Sequence, residues 1–382
     1  MALQTTHDEP APSLGDRFLA WRDRTLASAR FQRFAASFWL TRPIARRRTR
    51  ELFDLCAGFV YSQILFACVR LRLFDILSDG PQSISTLARR LSLPPDMAQR
   101  LLRAAASLHL AERRGADRYG LGPLGAALLG NPGVAAMVEH HAMLYADLAD
   151  PVALLRQDKM STALGDYWRY AGAHRPHELT SGQVAGYSSL MSASQAFIAN
   201  EVLDAYPLAR HRCLLDVGGG DGAFLRAAGQ RVAHLKLMLF DLPPVAARAQ
   251  AQFDAAGLAS RATAAGGSFL ADELPRGADI ISLVRVLHDH DDRVVRKILS
   301  AVHRALPPGG TLLIAEPLAG TPGAGPAGDG YFGFYLLAMG SGRPRTEAEM
   351  SALLSEAGFH RVRFPATHTP LLTRVVTAVV NR

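Results

Sequence analysis

Near the middle of the chain stand nine residues, Leu214-Leu215-Asp216-Val217-Gly218-Gly219-Gly220-Asp221-Gly222, in which an apolar strand pattern runs into a glycine-rich turn. Such a turn needs glycine because its backbone must adopt positive φ and lie against a ligand. The helix that follows points its N-terminus, the positive end of its dipole, at that ligand. Because Gly218, Gly220 and Ala223 also satisfy a loose dinucleotide-binding fingerprint, the turn predicts a ligand site without identifying the ligand.

The residues after Tyr206-Pro207 alternate between short apolar runs and helical stretches. The apolar runs are Cys213–Val217, Leu235–Phe240, Ala278–Leu287 and Thr311–Ala315. This alternation predicts a Rossmann-like α/β domain over residues 206–382, with a parallel sheet and helices on both faces. Pro317–Gly330 is rich in glycine and proline and is predicted to be a loop, of a length often found in lids or site walls.

A carboxylate follows the second apolar run. Asp241 stands 21 residues after Gly220, at a position where a carboxylate can hold both hydroxyls of a ribose. A nicotinamide dehydrogenase has the same feature. The turn and the carboxylate together therefore indicate a nucleoside-containing cofactor and leave the chemistry open.

A histidine ends the Ala278–Leu287 run, at the strand end where ligands of open α/β sheets bind. This residue, His288, suits a general base because the unperturbed pKa of histidine lies near the working pH. Glu316 ends the next strand in the same way and is predicted to orient the imidazole from its other nitrogen. His290 and Asp292 are instead predicted to form the capped start of the following helix.

Residues 1–50 form a basic arm, of which residues 13–50 carry ten arginines and two acids. The aromatic residues interleaved with the arginines are Phe18, Trp21, Phe31, Phe34, Phe38 and Trp39. A basic, aromatic helix can contact a membrane surface. A helix that packs against a partner and keeps a solvated face is the interpretation that we favour.

Residues 51–135 follow the order helix, helix, helix, hairpin, which is the order of a winged helix. Ser85–Leu91 and the stretch from Pro95 to Leu108 are predicted helices, and Leu110–Leu121 indicates two short strands around a glycine turn. The uncharged stretch Leu55–Val69 has 15 residues, fewer than the about 20 of a membrane span, so a buried helix is predicted there. Residues 136–205 are predicted to be a helical connector.

The net charge of +8 and the pI of about 9.7 come almost entirely from arginine and do not by themselves predict nucleic-acid binding. The three cysteines, Cys56, Cys68 and Cys213, form no disulfide framework, and no Cys or His grouping has zinc-ligand spacing. Met1–Pro12 is polar and lacks the apolar region of a signal peptide. We therefore expect a cytoplasmic protein without a metal.

Four motifs occur in a characteristic order: Asp216–Gly222, Phe240–Pro243, Arg285–Asp289 and Pro308–Glu316. Together they resemble the small-molecule O-methyltransferases related to the plant caffeate and acetylserotonin enzymes, over residues 51–382. The resemblance implies transfer of a methyl group from S-adenosylmethionine, without a metal, to a hydroxyl of a hydrophobic small molecule. It also implies that the N-terminal winged-helix domain forms a homodimer and that, with residues 136–205, it contributes to the acceptor pocket.

The resemblance further assigns roles to individual residues. Those implied to bind the donor are Asp216, Gly218, Gly219, Gly220, Asp241, Leu242, Ser268, Phe269 and Arg285. His288 is implied to take the hydroxyl proton, and Glu316 and Asp289 are the other catalytic candidates. Two positions depart from the family pattern. Ser268 stands where an aspartate contacts the adenine, and Pro344 stands where a second glutamate supports the histidine, so Glu316 is the carboxylate expected to steady His288.

Within that family, Thr41–Arg47 and Phe53–Gln63 resemble the carotenoid O-methyltransferases of purple phototrophic bacteria, which act on the tertiary hydroxyl of 1-hydroxycarotenoids in the spheroidene pathway. A polyene needs a long apolar channel, for which Tyr331–Met339 is a candidate wall. The candidate pocket residues are Met143, Tyr187, Phe334, Tyr335 and Met339. Each of them alone is more typical of an ordinary core. Bacteriochlorophyllide and antibiotic-pathway methyltransferases are close relatives and stay as alternatives.

The first helical stretch of residues 51–135 carries more apolar surface than a small winged helix can bury. Its large apolar residues are Phe53, Phe59, Val60, Ile64, Leu65 and Phe66. Such a patch predicts a two-fold interface, and the basic arm beside it could still contact anionic lipid. A DNA-binding regulator is the alternative of a different class, but Asp96–Leu108 is mostly alanine and leucine, as a packing helix is.

Overall fold

The computed structural model describes residues 13–157, 161–172 and 198–381. The chain divides into two compact units, Met1–Gly125 and Ala126–Arg382.

The first unit combines helices with a small antiparallel sheet. Its helices are α1 (Leu14–Ala27), α2 (Ala29–Ser37), α3 (Arg42–Arg70), α4 (Leu73–Ser78), α5 (Ile84–Arg90) and α6 (Pro95–Ser107). Its strands are β1 (Gln82–Ser83), β2 (Ala111–Arg113) and β3 (Arg118–Leu121), paired in the order β1-β3-β2. Helix α6 begins with Pro95 at its first turn and buries Ala98, Leu102 and Ala105 along one face. Helices α4, α5 and α6 precede the hairpin of β2 and β3, so the predicted order helix, helix, helix, hairpin is present.

Helix α3 contradicts the prediction that Leu55–Val69 is buried. Of its 29 residues only Cys68 and Val69 are buried, whereas Leu55 is 80% exposed. Among the described residues, α3 is the one helix that is long and apolar enough to cross a membrane by length and composition. The prediction failed because its apolar residues surround the helix, and a unit this small has too little core to cover them all.

The second unit is an α/β layer structure preceded by a helical segment. Its helices are α7 (Pro123–Leu129), which begins at the end of the first unit, α8 (Pro132–Asp147), α9 (Pro151–Leu155), α10 (Ala163–Gly172), α11 (198–205), α12 (Ala223–Arg231), α13 (Pro243–Ala255), α14 (Asp292–Ala305), α15 (Gly333–Met339) and α16 (Glu347–Glu356). Its strands are β4 (Cys213–Val217), β5 (Lys236–Asp241), β6 (Ala262–Gly266), β7 (Ile280–Val284), β8 (Thr311–Glu316), β9 (Phe359–Arg363) and β10 (Arg374–Val380).

These seven strands form one sheet in the order β6-β5-β4-β7-β8-β10-β9. Strands β4 to β8 are parallel, and β10 runs antiparallel to both of its neighbours. The predicted Rossmann-like α/β class is therefore confirmed, but the sheet is mixed. From β4 the sheet continues through β5 and β6 on one side and through β7 and β8 on the other. Ligands bind at such a switch point, outside the carboxyl ends of the strands.

Two connections differ from their predictions. The strand predicted to reach Leu287 ends at Val284, because Arg285 adopts a left-handed conformation (φ 57°) and the chain then forms a 3₁₀ turn at Leu287–Asp289. The predicted loop Pro317–Gly330 is helical from Pro326 onward, since Pro326–Phe332 forms a wide π-type turn that continues into α15.

Strand β4 is buried on both faces, so its side chains alternate between two cores. Leu214 packs with Phe224 and Phe253 on one face, while Leu215 and Val217 belong to the core on the other. This arrangement fixes the glycine turn at the end of β4 with little freedom.

Candidate active site

The glycine turn after β4 is shaped by positions where only glycine fits. Gly218 and Gly220 have φ values of 72° and 61°, and a Cβ atom at Gly219 would lie 2.4 Å from Asp216 Oδ2. The backbone can therefore be approached closely by a ligand at the switch point of the sheet. We call this turn the cradle; a Cβ atom at Gly218 would also lie 2.9 Å from Val286 Cγ2.

Two carboxylates, those of Asp241 and Asp216, lie next to this cradle, and Asp241 contacts its backbone. The backbone N–H groups of Gly220 and Leu242 donate to the two oxygens of Asp241, at 2.8 and 2.7 Å. Burial raises the pKa of Asp241, and these two hydrogen bonds act in the opposite direction. A carboxylate oxygen has lone pairs beyond one hydrogen bond, so Asp241 can still accept from a pair of ribose hydroxyls. The chain thus fits a nucleoside-containing donor here.

Asp216 lies beneath the turn and is fully buried. Ser282 Oγ donates to its Oδ1 at 2.6 Å, and its Oδ2 has no hydrogen-bond partner among the described residues. Burial raises the pKa of Asp216 to about 7. Asp216 therefore packs against the underside of the turn. Because its Oδ2 would lie 2.4 Å from a Cβ atom at Gly219, that position has no room for a side chain.

The turn after β6 lies on the other side of the cradle and contains Ser268 and Phe269. Phe269 Cε1 would lie 3.9 Å from a Cβ at Gly218, and its ring packs edge-on against His290, with centroids 5.6 Å apart. The backbone N–H of Ser268 donates to Asp272 Oδ2 at 2.8 Å. Sequence reasoning missed Asp272, which brings a carboxylate to the turn that lacks the family's aspartate.

His288 stands in the 3₁₀ turn after β7 and is 4% exposed. Its Nε2 lies 3.1 Å from Asp289 Oδ1, and its Nδ1 lies 3.5 Å from Glu316 Oε2. That Nδ1 forms no hydrogen bond in this geometry. The same Glu316 oxygen accepts the backbone N–H of His288 at 3.1 Å. The imidazole is therefore flanked by two carboxylates, and Glu316 holds the turn mainly through its backbone.

Arg345 is a buried arginine that sequence reasoning did not assign to the site. It donates to the carbonyl oxygens of Leu287 at 2.8 Å and His290 at 2.6 Å, and to Asp292 Oδ1 at 2.9 Å. Asp292, predicted as part of a helix cap, is its ion-pair partner, and Asp291 is the N-cap residue of α14. Arg345 thus clamps the turn that carries His288. The signal available in the sequence was its position next to Pro344, where the chain departs from the family pattern.

A small cavity of about 30 Å³ opens beside His288. Its lining residues are Met137, Trp168, Arg285, His288, Asp289, Phe332 and Tyr335. Of the predicted pocket residues, Tyr335 is in this wall. Within the described chain, Met143 and Phe334 are not in the lining, Met339 packs in a nearby core, and Tyr187 lies outside the described residues.

Arg285 was assigned to the donor, and the structure places it in the wall of this cavity. Its guanidinium lies 5.9 Å from the centroid of the Phe332 ring, and its buried Nε has no hydrogen-bond partner among the described residues. The left-handed backbone of Arg285 directs the chain from β7 into the turn that carries His288. A fixed positive charge therefore stands beside the imidazole.

Trp168 and Tyr335 of the cavity lining belong to a cluster of hydrogen-bonded rings that also contains His140, His141 and Tyr331. Tyr335 Oη lies 2.8 Å from His140 Nε2 and accepts from Trp168 Nε1 at 3.1 Å, and His141 Nε2 lies 2.7 Å from Tyr331 Oη. Burial lowers the pKa of His140 to about 4 and lowers the pKa of His141. Burial also raises the pKa of Tyr331 to about 12 and raises that of Tyr335. This ring cluster is therefore uncharged near neutral pH.

Comparison with known proteins gives two family matches. A family model described as an O-methyltransferase domain matches residues 145–360, and one described as an O-methyltransferase dimerisation domain matches residues 53–131. The demethylspheroidene O-methyltransferase of Cereibacter sphaeroides is 44% identical over 93% of this chain and 93% of its own length. That of Rhodobacter capsulatus is 43% identical over 88% of this chain and 83% of its own length.

A solved structure has the same architecture. Human N-acetylserotonin methyltransferase in complex with SAM superposes with a TM-score of 0.72 at 25% identity, covering 88% of this chain and 98% of that one. Matches to both family models on one chain contradict the dehydrogenase alternative and oppose the DNA-binding alternative. The chain therefore belongs to the O-methyltransferase family and uses S-adenosylmethionine as its methyl donor.

Proposed function

We propose that this protein methylates the tertiary 1-hydroxyl of an acyclic carotenoid in spheroidene biosynthesis, with His288 as the general base. The observation that carries the chemistry is His288 itself, a buried imidazole in the lining of a cavity. The carotenoid acceptor is supported by the two demethylspheroidene O-methyltransferases, which match nearly the whole chain.

S-adenosylmethionine supplies, when bound, an electrophilic methyl group on a sulfonium centre. The residues of this chain have to place the acceptor oxygen in line with that group, and such positioning accounts for most of the rate in reactions of this type. His288 Nε2 would remove the hydroxyl proton, which requires that its own proton sit on Nδ1, facing Glu316. Asp289 Oδ1 lies 3.1 Å from Nε2. The acceptor hydroxyl therefore has to bind at Nε2 next to this carboxylate or displace it.

The electrostatics of the site support this role. A tertiary alcohol is far less acidic than a phenol, so it depends more on a base. Asp289 Oδ1 lies 3.1 Å from Nε2 of His288, and Glu316 Oε2 lies 3.5 Å from Nδ1, so a carboxylate faces each ring nitrogen. The rings of His140, His141 and the two tyrosines carry no charge near neutral pH, whereas Arg285 and Asp289 line the cavity itself. The cavity of about 30 Å³ has room for about one or two waters, so a carotenoid end would have to open its wall.

We also propose that the protein is a homodimer. The exposed apolar residues of α3 include Leu52, Phe53, Leu55 and Phe59, and most of them lie within residues 53–131, which match the O-methyltransferase dimerisation domain. Light scattering should give about twice the chain mass of 41.2 kDa. A stable monomer at micromolar concentration would refute the dimer.

The acceptor is tested with purified protein, S-adenosylmethionine and three classes of acceptor: an acyclic 1-hydroxycarotenoid in detergent micelles, a phenol and a bacteriochlorophyllide. We expect the carotenoid to gain one methylene in mass, as a methyl ether that chromatography separates from the alcohol. The His288→Ala variant is the matched control for uncatalysed transfer. Methylation of the phenol or the bacteriochlorophyllide alone would replace the carotenoid assignment and leave the O-methyltransferase family unaffected.

A further inference from the structure

Helix α1 has an apolar stripe that no described residue covers. None of its 14 residues is buried, and Leu14, Phe18 and Trp21 are 83%, 61% and 57% exposed. At about 3.6 residues per turn, these three positions fall on one side of the helix. The rings of Phe18 and Trp21 lie 5.8 Å apart. We call these three side chains the α1 stripe.

Charges are arranged around the α1 stripe in a directional way. Arg17 and Arg24 border it on one side and Arg22 on the other, by the same helical geometry. Asp16 and Asp23 lie on the opposite side of the helix, where Asp16 forms the N-terminal capping box with Ser13. The helix therefore presents an apolar centre with a cationic edge formed by Arg17 and Arg24. Arg22 on the other edge is ion-paired with Asp23 at 2.7 Å, and both acids lie away from the stripe.

The end of α2 adds exposed aromatic surface to the same part of the chain. Phe34 and Phe38 stack with centroids 5.3 Å apart, and Trp39 and Leu40 beyond them are mostly exposed. This segment, like α1, lies before residues 53–131, which match the dimerisation domain. The dimer that accounts for α3 therefore leaves α1 without an assigned partner.

We propose that α1 anchors the otherwise cytoplasmic protein to the surface of an anionic lipid bilayer, with the α1 stripe inserted at the level of the headgroups. Aromatic and leucine side chains favour that depth, while arginines at the edges of the stripe extend to lipid phosphates. The acids on the far side avoid the negative surface. This inference does not depend on the carotenoid assignment, although a bilayer would also deliver an acceptor dissolved in it.

Vesicle flotation with the full-length protein tests the anchor, without any acceptor present. We expect binding to vesicles of phosphatidylglycerol and phosphatidylethanolamine and little binding to phosphatidylcholine alone. Phe18→Ser with Trp21→Ser should weaken binding at least tenfold. Leu19→Ser with Leu26→Ser is the matched control, because both leucines are exposed on α1 outside the stripe, and it should bind nearly as the wild type does. Arg17→Gln and Arg24→Gln should each cost roughly fivefold.

Tryptophan fluorescence provides an independent measurement. The chain has three tryptophans, so Trp39→Phe with Trp168→Phe leaves Trp21 as the reporter. Its emission should shift to the blue with anionic vesicles and should be quenched by brominated lipid. Unchanged emission, or equal loss of flotation for the stripe and control variants, would overturn the anchor. If light scattering instead showed that the stripe variant loses the dimer, a second copy would be the partner of α1.

Discussion

The glycine cradle, which we call the donor side, and the cavity with its ring cluster, which we call the acceptor side, are built in different ways. On the donor side, backbone groups and short carboxylates stand at the ends of β4 and β5, and Gly220 and Asp241 are 21 residues apart. On the acceptor side, long side chains from α8, α10 and α15 meet, and His140 and Tyr335 are 195 residues apart. The proposed donor residues are therefore fixed by the sheet, whereas the proposed acceptor residues depend on how separate helices pack.

His288 lies between the two sides and should show the largest effect. His288→Ala is expected to lower kcat by roughly 10²–10⁴, the range for the loss of a positioned base. Steady-state rates at saturating acceptor measure it. Calorimetry with the donor product should show nearly unchanged affinity, because the imidazole lies outside the cradle.

Glu316→Gln is the graded companion of that variant. It should cost less than His288→Ala, because Glu316 contacts the backbone of His288 more closely than the ring. If His288→Ala retained most of its kcat, the enzyme would work by positioning alone, and His288 would not be its general base.

The second prediction concerns the clamp that holds the turn carrying His288. Arg345→Ala should lower the free energy of unfolding by about 3–5 kcal/mol, because it leaves a buried set of acceptors without their cation. Urea unfolding measures this change. Arg343→Ala is the control, since Arg343 pairs with the same Asp292 but is partly exposed, and it should cost less than about 1 kcal/mol. Equal effects of the two variants would contradict the clamp.

The third prediction tests the donor side alone. Asp241→Ala should weaken the donor product at least tenfold, about 1.4 kcal/mol or more, and should leave the acceptor KM unchanged. Calorimetry and steady-state kinetics give the two quantities. Unchanged affinity, or preferential binding of NAD, would be incompatible with the role of Asp241. An altered acceptor KM would show that the two sides are coupled.

The same contrast explains what the sequence could predict. Gly218, Gly220 and Asp241 belong to strand ends whose positions follow from local patterns, and the structure places them around one cradle. The contact of Trp168 with Tyr335 joins helices 167 residues apart, and no local period encodes it. Arg345 was missed for the same reason.

Two features of the fold are left undetermined by the sequence pattern for other physical reasons. Strand β10 is an apolar run whose pattern is the same in either direction, so its antiparallel pairing with β8 could not be deduced. For α3 the sequence led both to a buried helix over Leu55–Val69 and to an interface patch on the same stretch, because an apolar sequence does not say whether its own chain or a partner covers it.

The fourth prediction tests the acceptor side alone. Tyr335→Phe removes the hydroxyl that accepts from Trp168 Nε1 and contacts His140. One hydrogen bond contributes about 0.5–1.5 kcal/mol, so we expect the acceptor KM to rise roughly two- to tenfold. Donor-product affinity should not change. A loss of donor affinity as large as that of Asp241→Ala would show that the wall and the cradle are one unit.

The smallest expected effect concerns protonation of the ring cluster. Burial lowers the pKa of His140 to about 4, below its value of about 6.5 in the unfolded chain. The unfolded state therefore binds the proton first on acidification, and the contribution of His140 to stability falls as the pH drops from about 6.5 toward 4. Asp216 on the donor side acts with the opposite sign. Because burial raises its pKa to about 7, its contribution to stability is lost as the pH rises through 7.

Urea unfolding at about pH 7.5 and about pH 5.5 should be compared between the wild type and His140→Gln, whose amide can still bond Tyr335. We expect the wild type to lose about 1 kcal/mol more than the variant over this interval. Equal losses would mean that the pKa of His140 is the same in the folded and unfolded states, and the ring would then be charged in the folded protein at about pH 5.5.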